Sequence, residues 1–71
     1  MHQEVILDAL SHKFEGEIAY HKANILVYLN NPVGIGEHPD VLGAIETEIQ
    51  KMAECQEKLE VVNQFYEMML T

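Results

Sequence analysis

From residue 42 to residue 70 the apolar side chains keep a heptad spacing without a slip. Leu42, Ile45, Ile49, Met52, Gln56, Leu59, Asn63, Tyr66 and Leu70 follow one another at steps of three and four. Seven of these nine are apolar. This period matches an α-helix and excludes a strand, whose faces alternate every second residue. Val41, Cys55, Val62 and Met69 recur on one flank and widen the stripe, while Glu46, Glu60 and Glu67 line the other flank. A stripe three positions wide in seven suits a multi-helix bundle better than a two-stranded zipper. Gln56 and Asn63 are its polar breaks, and polar groups at seam positions commonly fix register or partner number.

The first half of the chain has a helical period as well. Leu7, Leu10, Phe14, Ile18, His21, Ile25 and Leu29 form one stripe, with Leu7, Ile18 and Leu29 eleven residues apart. That drift is close to the natural period of a straight helix and demands no strong supercoil. Gly16 falls mid-helix, where it costs about 1 kcal/mol relative to alanine. It marks either a close helix approach or a weak spot. His21, among apolar neighbours, is expected to be partly buried and hydrogen-bonded.

Between the two stripes lies "NPVGIGEHPD", residues 31–40, a dense cluster of glycine and proline. Asn30 and Asn31 tolerate the left-handed conformation that ends many helices. Pro32 cannot continue a helix, and Gly34 and Gly36 permit backbone angles closed to other residues. Pro39 suits the first turn of a new helix, with His38 near its cap and Asp40 favourable to its dipole. A phosphate-binding loop would want a lysine and a preceding strand, and neither is present. The cluster reads as a turn, with Pro32, Gly34, Gly36 and Pro39 its key residues.

The expected fold is all-α: a single-domain antiparallel helical hairpin over residues 1–71. Its helices run over about residues 3–30 and 39–70, with the turn at 31–38. Each helix would be about 40–48 Å long at 1.5 Å per residue. Two helices alone cannot bury stripes this wide, and further apolar residues lie off them. Ala19, Tyr20, Ala23, Leu26 and Val27 do so in the first half, and Val61, Phe65 and Met68 in the second. Exposed apolar patches of that extent mark association sites. A homodimer forming a four-helix bundle is therefore expected. Its interface would draw on Leu7, Leu10, Phe14, Ile18 and Ile25 from the first helix. The second would contribute Ile45, Ile49, Met52, Leu59, Val62, Phe65, Tyr66 and Met69.

Twelve acidic residues against four lysines, without an arginine, set the net charge at −8. Up to Gly36 there are four acids and two lysines, and beyond it eight and two, so the second half carries most of the charge. Nucleic-acid binding needs a basic stripe to displace counterions, and this surface repels phosphate. Anionic membranes are disfavoured on the same ground. No apolar run exceeds the five residues of "ILVYL", far short of the ~20 that span a bilayer. The first residues lack the basic segment of a secretory leader. Cys55 is the only cysteine, which excludes an internal disulfide and fits a reducing, cytoplasmic setting.

Catalytic constellations are lacking. Asp8 and His12, and Glu17 and His21, stand four apart on a helical face. Di-iron bundles use Glu-x-x-His, with a spacing of three, and no such pair occurs. Glu17 and His21, with Glu48 across the seam, make the best remaining metal set, against helix-surface ion pairing as the plainer reading. Cys55, with Glu54 and Glu57 nearby, is expected to behave as a small hydrophobe with a raised pKa. No catalytic, cofactor-binding or metal-ligating residue is assigned.

The run "HKANILVYLNNPVGIGEHPDVLGAIETEIQKMAECQEKLEVV", residues 21–62, resembles short uncharacterised helical-hairpin proteins encoded by large tailed bacteriophages, including marine and cyanobacterial ones. The resemblance implies a helical hairpin of viral origin and brings no catalytic residues with it. The expected function is a non-enzymatic, self-associating bundle protein, a phage accessory or interaction factor in the infected cell. Two alternatives are an acidic inhibitor or decoy that binds a basic host or phage protein, and a metal-binding helical bundle.

Overall fold

The computed structural model describes residues 2–30 and 40–70. Two helices account for nearly all of them: α1, His2–Leu29, of 28 residues, and α2, Val41–Leu70, of 30. Neither contains proline, and both are rich in the unbranched residues that lose least on entering a helix. The helices pack antiparallel. Asp8 meets Tyr66, Glu17 meets Cys55 and His21 meets Glu48, so partner numbers fall as the first numbers rise. The result is one layer of two helices with extents of 54 × 14 × 12 Å. The expected all-α hairpin is the observed fold.

Local chemistry explains where the helices stop. The backbone N–H of Asn30 donates to the Leu26 carbonyl at 3.0 Å, and its side-chain amide donates to the same oxygen at 2.8 Å. Asn30 thus ends α1 through its side chain. No described residue has a positive φ, so the left-handed conformation that Asn30 tolerates is not used there. At the other helix the Asp40 carbonyl accepts from the Ala44 N–H at 2.9 Å. That places Asp40 at the N-cap, where a short carboxylate side chain and a negative charge are both favoured. α2 therefore begins at Val41, two residues after the expected start. Pro32, Gly34, Gly36 and Pro39, assigned above to the turn, lie outside the described residues, as does His38.

The faces that meet are set by two interleaved seven-residue repeats. On α1 the least exposed positions are Leu7, Ser11, Phe14, Ile18, His21, Ile25 and Tyr28, flanked by Glu17 and Asn24. On α2 they are Val41, Ile45, Glu48, Met52, Cys55, Leu59, Val62 and Tyr66, flanked by Ala44. This corrects the sequence reading in three places. α1 keeps a strict heptad instead of an eleven-residue drift, with Ser11 and Tyr28 in the seam where Leu10 and Leu29 were expected. A heptad is the repeat of helices that wind gently around each other. On α2 the column of Val41, Cys55 and Val62, read as a flank, is central. The column of Leu42, Ile49, Gln56, Asn63 and Leu70 faces outward, so Gln56 and Asn63 are exposed and cannot fix the hairpin's register.

The seam is thin. Among the described residues only two apolar side chains, Cys55 and Val62, are buried. The Cα radius of gyration, 16.3 Å, compares with about 11 Å for a compact domain of this length. Gly16 offers no close approach within the chain: a Cβ built on it meets nothing within 4 Å. It is not a contact point between α1 and α2.

Candidate functional site

Polar side chains punctuate the seam at three levels. Nearest the described end of α1, His21 Nδ1 donates to Glu48 Oε2 at 2.6 Å, with both side chains about six-sevenths covered. The bond from His21 holds the Glu48 carboxyl below its usual range against the opposing effect of desolvation, and Asn24 beside it acts in the same direction. At the middle level the Cys55 thiol donates to Glu17 Oε2 at 3.1 Å. Glu17 is lowered chiefly by that bond, and Lys13, 3.5 Å from its other oxygen, adds to the effect. Cys55 is raised by the same bond and by burial. A raised thiol beside a carboxylate is a poor nucleophile. At the open end Tyr66 donates its hydroxyl to Asp8 Oδ1, which raises the phenol above its usual range. The Ser11 hydroxyl is buried in the seam beside Tyr66, where it opposes that rise.

Neither carboxylate–histidine pair read from the sequence forms. His12 Nδ1 bonds the Asp8 backbone carbonyl at 2.7 Å, while the Asp8 carboxylate reaches across to Tyr66. His21 turns from Glu17, four residues back on its own helix, to Glu48 on the other. The expected partial burial and hydrogen bonding of His21 are observed. Glu17, His21 and Glu48 do not converge, and among the described residues no three of His, Cys, Asp or Glu could hold a metal ion. Cys55 is raised in the direction expected, but Glu17 is its principal cause, and Glu54 is a lesser one.

The outward surface is apolar to an unusual degree. Fourteen large apolar side chains among the described residues stand exposed. Of the interface residues named from the sequence, Leu7, Phe14, Ile18, Ile25, Ile45, Met52, Leu59, Val62 and Tyr66 lie in or beside the seam between α1 and α2. Leu10, Ile49, Phe65 and Met69 are left facing water. The first group packs between the two helices, with Leu7, Phe14 and Val62 also bordering an open groove, and the second stays exposed.

Two patches stand out. At the open end an open groove of about 640 Å³ runs between the helices, walled by Leu7, Leu10, Phe14, Val61, Val62 and Phe65. Glu54, Glu57 and Lys58 form its rim. A second hollow of about 510 Å³ continues it past Ile6, Met68 and Met69, sharing Leu7 and Phe65. The opposite lateral face is marked at this end by Asp8 and Leu70. Leu29 lies three heptads after Asp8, and Ile49 and Leu42 three and four heptads before Leu70, so these three share that face toward the turn. All three are exposed.

Among the described residues no helix is long and apolar enough to cross a membrane. Comparison with protein-family models, with curated proteins and with solved structures gives no match to this chain.

Proposed function

We propose that this chain is a non-enzymatic, self-associating helical hairpin that works as an interaction module. One observation carries the reading: among the described residues only Cys55 and Val62 are buried apolar side chains, while fourteen large apolar side chains stand exposed. Domains of this size are marginal even with a filled core and are ordinarily stapled by disulfides, metals or partners. Cys55 has no cysteine to pair with. Association is the route that fits the exposed side chains, since burying one large apolar residue is worth about 1.5–3 kcal/mol. The bacteriophage setting rests on the resemblance of residues 21–62 alone.

Sedimentation equilibrium at micromolar concentration tests the proposal. A mass of at least twice 8.1 kDa is expected. A folded, stable monomer across that range would sink it.

A further inference from the structure

Self-association leaves open which face is used. We infer that the open-end groove between α1 and α2 receives a second copy of this chain, face to face about a two-fold axis. The inference rests on the self-association proposed above and adds its location.

Area is the first support. The chain exposes 5569 Å², whereas a compact monomer of 8.1 kDa exposes about 4,500 Å². The excess, about 1,000 Å², is close to the ~800 Å² that each partner gives to a stable interface. The surplus surface of the hairpin is thus of the size that one interface with a single additional copy would cover. Shape is the second support. The groove is a hollow bounded by ridges of its own making: Phe65 and Ile6 stand 51% and 60% exposed beside it. A two-fold copy brings the ridge of each subunit to the hollow of the other, which is the self-complementarity an isologous interface requires.

Charge is the third support. A chain of net charge −8 opposes its own dimerisation unless the contact is apolar or paired. The open-end groove is apolar at its centre, and Lys58, with its ammonium 5.7 Å from the Phe14 ring, shares the rim with Glu54 and Glu57. A two-fold copy can set the lysine of one subunit against the carboxylates of the other. A basic partner protein would find the carboxylates attractive but the lysine and the apolar floor less so.

The chain contains no tryptophan, so a single introduced one reports its own surroundings. Phe65→Trp places it at the open-end groove and Leu42→Trp on the opposite face, and both keep the surface apolar. On raising the concentration of each variant through the range in which mass doubles, Phe65→Trp emission should move to shorter wavelength in step with the mass. Leu42→Trp emission should stay that of a hydrated indole. Leu10→Glu should weaken dimerisation about 100-fold or more, because a charge in the desolvated centre of an interface is a hot-spot change. Leu42→Glu should leave the dissociation constant within about threefold, since changes outside a contact are near neutral. If the wild type sediments as a folded monomer, the self-association reading fails. If it doubles in mass while only Leu42→Trp shifts and only Leu42→Glu dissociates, self-association stands and the open-end assignment is overturned. A Phe65→Trp indole that stays hydrated in the doubled species also overturns it and leaves the groove to another occupant.

Discussion

The seam between α1 and α2 and the outer surface of the same helices each break the usual division of polar and apolar side chains. Inside the seam stand Ser11, Glu17, His21, Glu48 and Cys55. Outside stand Ile6, Val27, Leu42, Phe65 and Leu70. An inner face with polar cross-links is weakly cohesive but selective, because each pair is satisfied at one register only. Sliding the helices by a turn would separate His21 from Glu48 and Cys55 from Glu17 and leave groups covered without partners, which is costly. An outer face of large apolar residues is cohesive but unselective, because dispersion and desolvation act on any apolar neighbour. The seam specifies which hairpin forms, and the outer face leaves large apolar side chains that the hairpin does not cover.

That comparison can be broken most severely at Val62, which with Cys55 is the most deeply covered apolar residue of the seam among those described. Val62→Asp puts an unpaired charge where 6% of the side chain is accessible. The expected loss is about 4 kcal/mol or more, enough to unfold a small domain, visible as collapse of the far-ultraviolet helix signal. A folded variant would mean that the seam opens without penalty and that α1 and α2 are held by something other than each other.

The polar cross-links carry a pH signature on both sides of neutrality. Glu17 and Glu48 titrate below their ordinary 4.5 in the folded chain. Their contribution is complete above that value and is lost as pH falls through the lowered folded values. Cys55 and Tyr66 titrate above their ordinary 9.0 and 10.0. Their contribution is complete below those values and is lost as pH rises through the raised folded values. Thermal melts should therefore weaken below pH 4.5 and above pH 9.0. Glu48→Gln should blunt the acid side and Tyr66→Phe the alkaline side. Melts of Glu48→Gln that track the wild type at every acid pH would show that the His21 bond adds nothing to folding.

Smaller effects sharpen the same contrast. Gly16→Ala should stabilise α1 by about 1 kcal/mol, raising Tm by about 4–8 °C, because nothing in the hairpin lies within 4 Å of the added methyl. A lower Tm would place Gly16 against a helix of another copy. Gln56→Ala and Asn63→Ala should each change stability by less than about 0.5 kcal/mol, as exposed positions do. A larger loss at either, combined with loss of dimer on sedimentation, would move the association surface to the outward column of α2.

Periodicity and the absence of proline inside either stripe were enough to determine two helices packed as an antiparallel pair and the excess of apolar surface. These properties are local or additive, so a linear pattern carries them. The rotation of each helix about its own axis was not legible. On α2 three adjacent columns are apolar, and a stripe that wide reads equally well with Leu42, Ile49 and Gln56 inward or with Val41, Glu48 and Cys55 inward. Only contact chooses between them. The second arrangement sets Glu48 at His21 and Cys55 at Glu17. Those pairs are 27 and 38 residues apart in the chain. No spacing within one helix announces them, because hydrogen bonds between two helices depend on register and rotation together. The tertiary structure also decided which apolar residues pack within the hairpin and which are left outside it.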